Sequence, residues 1–249
     1  DSKEDSVRLP ETYVDLSRKT FQEFAISARE ELAAFARTNE TRNALATTGT
    51  TVLALMSPDK KIGVIVSDGR ASGLPYVFDE NFRKIFDCRT GLLGGAGLAG
   101  LIQKVARYFR LELSSISDAR NEVMTASGSA HRLYVYYAAA LSAISQEEGI
   151  SAGLSFLGIF WDFYEERCHL YQLDGMAKFS RPKSAAIGSG SIIIKCDVED
   201  WEPKNTRDEI LSDARNMLRK ASGKDLATNT HMFYGVIADG VFERGEELL

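Results

Sequence analysis

Apolar periodicity changes in blocks along this chain: one helical stripe, then strands, two helices, strands, two more helices and a closing pair of strands. Short apolar or alternating runs bounded by turn residues mark strands, whereas apolar residues three and four apart mark helices. From Thr50 the run TTVLALM is rich in strand formers, Asp59-Lys60-Lys61 makes a turn, and residues 62–66 return as a second strand. Further strands are expected at 84–87 and 92–96. Leu98, Ile102, Val105 and Phe109 mark a helix, and residues 119–147 another, with Leu133, Tyr136, Tyr137, Ala140 and Ile144 facing inward. Strands resume at 154–160, 168–173 and 185–187, and residues 192–200 and 207–222 are helical. A hairpin of residues 233–237 and 241–243 closes around Asp239-Gly240. Strands grouped apart from helices pack as sheets with helices on their outer faces, an α+β layered domain.

The first 49 residues read differently. Asp15-Leu16-Ser17 is a helix N-cap signal. Phe21, Phe24, Ala25, Ala28, Leu32 and Phe35 then form one apolar stripe on a helix of about five turns. Residues 38–49, TNETRNALATTG, have no periodicity and read as a linker. An amphipathic helix is thus tethered to the layered domain by a polar strap; the plain alternative is an ordinary packed N-terminal helix.

A chain of 249 residues with 44% hydrophobic side chains can bury a sizeable core in one large domain or two small ones. The net charge of −5 and the lack of any Lys/Arg cluster argue against a nucleic-acid partner. Cys88, Cys168 and Cys196 are odd in number and far apart, which suggests neither a disulfide framework nor a metal site, and a reducing compartment. The polar, acidic start has no signal-peptide pattern, and no apolar run is long enough to span a bilayer. A cytoplasmic protein with no membrane association is expected. His131, His169 and His231 lack a metal-binding spacing, and no phosphate-binding glycine motif is present, so no cofactor and no metal are expected.

Chemistry concentrates in short motifs. Thr47-Thr48-Gly49-Thr50-Thr51-Val52 sets a glycine before a threonine that opens a strand. Val64-Ile65-Val66-Ser67-Asp68-Gly69-Arg70-Ala71-Ser72 ends the second strand in an acid, and Phe82-Arg83-Lys84-Ile85 opens another with a lysine. Gly94-Gly95-Ala96-Gly97-Leu98-Ala99-Gly100 and Ala186-Ile187-Gly188-Ser189-Gly190-Ser191 are small-residue turns from strand to helix. Lys224-Asp225-Leu226-Ala227-Thr228 completes the set. Taken singly, each has an ordinary reading as a turn, a salt bridge or a turn acid.

In this order and near these spacings, the motifs resemble the proteasome β-type subunits of the N-terminal-nucleophile hydrolase superfamily, from Gly49 to about residue 245. Val14-Asp15-Leu16-Ser17 and the helix with Phe21 and Phe24 are similar to the propeptide of actinobacterial members. The resemblance implies a four-layer αββα sandwich over residues 50–249, preceded by a helical propeptide over residues 1–49. The amphipathic helix of residues 16–36, on its polar strap, is expected to dock its Phe21–Phe24–Leu32–Phe35 face on the inner surface of a β ring. It implies that Thr50 is the nucleophile of a threonine endopeptidase, freed by autocatalytic cleavage between Gly49 and Thr50. A threonine hydroxyl needs a base, and the freed α-amine, with a reference pKa of about 8, is partly neutral near pH 7. Lys84 matches the family's active-site lysine and Asp68 the acid paired with it. Ser189 and Asp225 match the residues around the threonine amine, and Gly97 the backbone donor of an oxyanion hole. Ala71, Ser72, Phe82, Phe86, Gly95 and Ala99 are implied to line the substrate pocket, with Gly95 and Ala99 leaving room for large apolar side chains.

The implied assembly is a homo-heptameric β ring with proteasome α-type subunits and an ATP-dependent unfoldase ring, acting on unfolded proteins. The first hairpin is about two residues longer than in many members of the family, and two further sites depart from its pattern. Gly69 stands where arginine is frequent, and Thr228-Asn229-Thr230 where Ser-Gly-Gly is common. Three other readings remain open. A non-catalytic α-type ring subunit shares the fold but generally lacks the Gly-Thr junction and the late aspartate. The simpler two-ring bacterial threonine peptidase, which works with an unfoldase, is resembled through Asp68-Gly69 and Asn229-Thr230-His231 but is shorter and lacks a long propeptide. An amidase on the same scaffold would act on small amides.

Overall fold

The computed structural model describes residues 11–37, 50–73, 76–120, 123–146, 153–174 and 179–249. Gly49 and the strap before it lie outside the described residues. In chain order the elements are α1 (Glu11–Arg37), β1 (Val52–Met56), β2 (Ile62–Asp68), β3 (Ala71–Gly73), β4 (Tyr76–Asp79), β5 (Ile85–Cys88) and β6 (Gly91–Gly97). There follow α2 (Ala99–Arg120), α3 (Ala126–Gln146), β7 (Leu154–Asp162), β8 (Arg167–Leu173), β9 (Phe179–Ser180) and β10 (Ser184–Ile187). A 3-10 turn (Ser189–Ile192), α4 (Lys195–Glu199), α5 (Arg207–Ser222), β11 (His231–Ala238) and β12 (Val241–Leu248) complete the chain.

Two antiparallel five-stranded sheets result, in the orders β10-β1-β2-β11-β12 and β5-β6-β7-β8-β9, with β3-β4 as a small separate hairpin. β1 and β2, central in the first sheet, read as almost unbroken apolar runs because both faces are covered. Val52, Ala54, Met56 and Ile65 point into the core between the sheets, with Leu92, Leu157 and Ile159. Their neighbours Leu53, Leu55, Val64 and Val66 point the other way, onto Ile210, Ala214 and Leu218 of α5. The second sheet alternates likewise: Leu93, Phe156 and Phe160 pack against Ile102, Val105 and Phe109 of α2 and Leu133, Tyr136 and Tyr137 of α3. The layers are therefore helix, sheet, sheet, helix, the expected αββα sandwich with an N-terminal helix.

Several boundaries move. α2 runs on to Arg120, because Leu113 and Ile116 continue the buried stripe from Phe109. Residues 119 and 120 thus belong to α2, and α3 starts at Ala126. There Thr125 Oγ1 accepts from Gly128 N at 3.1 Å and Asp162 Oδ2 accepts from Ala126 N at 3.0 Å, satisfying N–H groups the first turn leaves open. The segment 192–200 is split between the 3-10 turn and α4. β3, β4 and β9 are too short to leave a periodic signal, and β12 continues to Leu248 through charged residues on an exposed edge. α5 keeps its expected start, fixed by a capping box between Thr206 and Glu209.

α1 lies on the outer face of α2 and α3. Phe24, Ala28 and Leu32 are fully buried there, and the Phe24 ring stands edge-on to Tyr136 at 5.0 Å and Tyr108 at 5.6 Å. Glu31 pairs with Lys104 at 2.9 Å, and Ser17 Oγ donates to the buried Glu112 carboxylate at 2.8 Å. The apolar face expected to seek a ring surface is already seated on helices of the same chain. The Phe35 side chain lies outside the described residues. Among the described residues no helix is long and apolar enough to cross a membrane, and all three cysteines are free thiols.

Candidate active site

Thr50 sits buried at the head of β1, held by the turn that follows β10. Gly188 has φ +91°, and a Cβ there would lie 2.0 Å from the Thr50 carbonyl oxygen, so only glycine fits. Next to it, Ser189 Oγ accepts from Thr50 N at 3.1 Å and donates to Asp225 Oδ2 at 2.6 Å. Thr228 Oγ1 donates to the same oxygen at 2.7 Å, and Ala227 N to Asp225 Oδ1 at 3.1 Å. A hydroxyl has one proton to give, so Thr51 is the donor in its 2.8 Å contact with Thr228. Two hydroxyl relays thus converge on Asp225, one from Thr50 N and one from the Thr51 side chain.

The second cluster is the buried pair Asp68 and Lys84. Asp68 closes β2, and Lys84 stands just before β5. Lys84 Nζ donates to Asp68 Oδ1 at 2.7 Å; the same oxygen accepts from Thr51 N at 2.8 Å, and Oδ2 from Arg70 N at 2.9 Å. Burial lowers the Lys84 pKa below the ordinary lysine value, opposed by Asp68 and then Asp225. Burial likewise raises that of Asp68, opposed by Lys84 and the two N–H groups. Three donors on two oxygens suit a carboxylate, and the pair is bound to β1 one residue from Thr50. A lysine so disposed supplies a positive charge that can also yield its proton.

The sheet packing sets where Gly97 lies. Cβ atoms at Gly94 and Gly63 would strike Val52 and Ile159 respectively, while Gly63 pairs with Met56 and Ile159 with Leu92. β6 therefore advances across β1 from its Met56 end toward its Thr50 end, and Gly97 ends it on the Thr50 side. Its φ of +126° and the 2.1 Å approach a Cβ would make to Gly153 O again require glycine.

The residues expected to line a substrate pocket are less unified. Ala71 opens β3, half-buried; Ser72 follows it, with its side chain outside the described residues. Phe82 lies half-buried in the segment before Lys84, and Ala99 half-buried at the start of α2. Phe86 packs toward α2 and α3 with the helix-side core. The room expected at Gly95 is filled: a Cβ there would be 2.5 Å from Ile102 and 3.0 Å from Phe156.

Sequence reading missed Arg70, Glu80 and Asn229, which cross-link the loops of the two clusters. The available signal was the pair of departures at 69 and 229, which meet in one hydrogen bond, Gly69 N to Asn229 Oδ1 at 2.9 Å. Asp162, Glu165 and His169 bring metal-type donor atoms within 4.8 Å of one another. Asp162 there already accepts three backbone N–H groups, and the Arg181 guanidinium faces His169. Burial first, and then Arg181, hold the His169 pKa down, so a cation would meet a competing positive charge.

Comparison with known proteins points to one family. A family model described as proteasome subunit matches residues 46–237. Proteasome subunit beta of Jonesia denitrificans is 27% identical over 187 residues, covering 72% of this chain and 59% of that protein. Proteasome subunit beta of Streptomyces griseus subsp. griseus is 26% identical over 206 residues, covering 79% of this chain and 71% of that protein. The chain thus matches less than two thirds of the length of the first of these relatives.

Proposed function

This chain belongs to the proteasome subunit family, and from that premise we propose that it is a β-type, threonine-dependent endopeptidase subunit in its unprocessed form. The observation that carries the reading is the bond from Thr50 N to Ser189 Oγ, itself bonded to Asp225. That nitrogen is the atom which a cut after Gly49 turns into an α-amine. The amine then finds a hydroxyl acceptor and a carboxylate in place, beside the hydroxyl of its own residue.

In hydrolysis the neutral amine takes the Thr50 hydroxyl proton as Oγ bonds to the scissile carbonyl carbon, and the proton passes to the leaving amine as the peptide bond breaks. Water repeats the sequence on the resulting ester, freeing the acid and restoring the threonine. The Lys84 ammonium, oriented by Asp68, favours the developing alkoxide. The Gly97 backbone N–H is the candidate donor to the oxyanion. Residues 1–49 are a propeptide and residues 50–249 the catalytic unit. The subunit works in the cytoplasm in a ring of seven copies, with α-type subunits and an ATP-dependent unfoldase that delivers unfolded proteins. Both curated relatives named above are β subunits, which favours this reading over an α-type one.

Intact mass after mixing the chain with α-type subunits tests the proposal. Wild type should lose residues 1–49, and Thr50→Ala should stay full-length. A fully active particle with residue 1 still attached would overturn it.

A further inference from the structure

Asn229 fastens together the two loops that carry the candidate catalytic groups, and we propose that it is a positioning residue for the reaction, acting with Glu80. It stands in the loop of Asp225 and Thr228, buried, and all four hydrogen-bonding positions of its amide are used. Oδ1 accepts from Gly69 N at 2.9 Å and His231 N at 3.3 Å. Nδ2 donates to Glu80 O at 2.8 Å and Glu80 Oε2 at 2.9 Å. The orientation is fixed by this network, since the flipped amide would set its NH₂ against two N–H groups.

Each partner belongs to a segment leading to the site. Gly69 follows Asp68 directly. Glu80 opens the segment that ends in Lys84, and Phe82 N donates to Gly69 O at 2.7 Å. That segment lies so close to the corner that a Cβ on Gly69 would be 2.9 Å from Glu80 O and 3.0 Å from the Phe233 ring. The Glu80 carboxylate is completed by Arg70 Nε and Nη2, each at 3.2 Å, while Arg70 Nη1 donates to Leu226 O, back in the Asp225 loop. Asn229 first and then Arg70 hold the Glu80 carboxyl below the usual range. One joint therefore spans the corner after Asp68, the segment before Lys84 and the loop of Asp225. It fixes the Asp68–Lys84 pair against the Ser189–Asp225 pair from the loop side, in addition to the bridge through Thr51, whose N donates to Asp68 and whose hydroxyl donates to Thr228. The glycine at 69 and the asparagine at 229 are two halves of this joint: the missing Cβ lets Glu80 O and the Phe233 ring approach the corner, and the amide of Asn229 ties Gly69 N to Glu80.

The inference rests on the threonine-protease reading, and its consequence is kinetic. Small displacements of reacting groups are costly, so Asn229→Gly in the assembled particle should lower kcat by roughly 10–100-fold. KM should stay within about twofold, because no substrate contact is removed. The acidic limb of the kcat/KM profile should move to lower pH, as Asp225 is held less firmly near the amine. Glu80→Ala should lower kcat less, and the double variant should be no slower than Asn229→Gly alone, because both cut the same joint. Unchanged kcat and pH limb in Asn229→Gly, or losses that multiply in the double variant, would overturn the proposal. If Asn229→Gly does not assemble, Asn229→Asp decides, since it keeps the shape, loses the donor to Glu80 and sets a second carboxylate against it: unchanged kcat overturns the joint, as does a fall that Glu80→Gln leaves in place, whereas a comparable fall that Glu80→Gln relieves upholds it. Thr50→Ala in the same particles separates the two ideas, because hydrolysis surviving there defeats the threonine reading rather than the joint.

Discussion

Lys84 Nζ lies 2.7 Å from Asp68 Oδ1 with both side chains shut away from solvent, at 2% and 0% exposure. Removing one member leaves a buried charge without its partner, which costs about 3–5 kcal/mol. Lys84→Met and Asp68→Asn should each lower the stability of the unassembled subunit by about that much. Together they should lose clearly less than the sum, and denaturant titration of the cycle reads the difference. Activity should follow another rule. Lys84→Ala should assemble yet lose self-cleavage and peptide hydrolysis by roughly 10²–10⁴-fold, and arginine should not rescue it, since its planar guanidinium cannot take the geometry of a compact ammonium buried against Asp68. Wild-type rates in Lys84→Ala would remove the lysine from the mechanism.

The same pair gives stability a pH dependence of known sign. Burial lowers the Lys84 pKa below its ordinary value of 10.5. Between the folded value and 10.5 this group binds more protons in the unfolded chain, so its contribution to stability rises with pH across that window. Asp68 runs the other way. Its pKa is raised above 3.8, so its contribution is complete below 3.8 and is lost as pH rises through the folded value. The buried thiols Cys88 and Cys168, whose pKa values burial raises, contribute a falling alkaline slope of their own, so the test is a difference: denaturation midpoints of wild type minus Lys84→Met should rise with pH on the alkaline side, and those of wild type minus Asp68→Asn should fall with pH on the acidic side.

Gly188→Ala should be among the most damaging single-methyl changes in the chain. A Cβ there meets the Thr50 carbonyl oxygen at 2.0 Å, at a φ that disfavours side chains. The turn must shift, taking Ser189 away from Thr50 N. Self-cleavage should fail in assembled particles, as seen by intact mass, and normal processing would show that this turn does not place Thr50.

The layers were legible because β1 and β2 are apolar on both faces and because the helical stripes fall in blocks apart from the strands. Thr50, Asp68, Lys84 and Ser189 stand out as motifs at strand ends and Asp225 follows a helix, but their candidate roles were legible only together, through the resemblance to a family. What the sequence hid is long-range. The hydrogen bond of Asn229 to Gly69 joins residues 160 apart, and no local pattern marks either end beyond a misfit with the family. The fate of Gly95 was hidden for the same reason: its empty position is filled by Ile102 and Phe156 from two other elements. The seat of α1 was half visible, since periodicity shows an apolar face but not what covers it.

That seat can be tested by itself. Phe24 is fully buried between Tyr136 and Tyr108, and truncating such a ring costs about 3–5 kcal/mol. Phe24→Ala should release α1, making it sensitive to protease while the layered domain keeps its denaturation midpoint. The assembly rate should change and turnover of mature particles should not. Unaltered protection of α1 would mean that Phe24 does not hold the helix.

The central claim is that Thr50 Oγ is the nucleophile, and a covalent probe tests it most directly. Mature particles are treated with an electrophilic peptide that acylates hydroxyl nucleophiles, then digested and mapped by tandem mass spectrometry. The expected result is a single adduct on a peptide that begins at Thr50, lost in Lys84→Ala particles and accompanied by loss of hydrolysis in wild type. An adduct on Ser189 or another residue, with Thr50 unmodified and hydrolysis abolished, would contradict it.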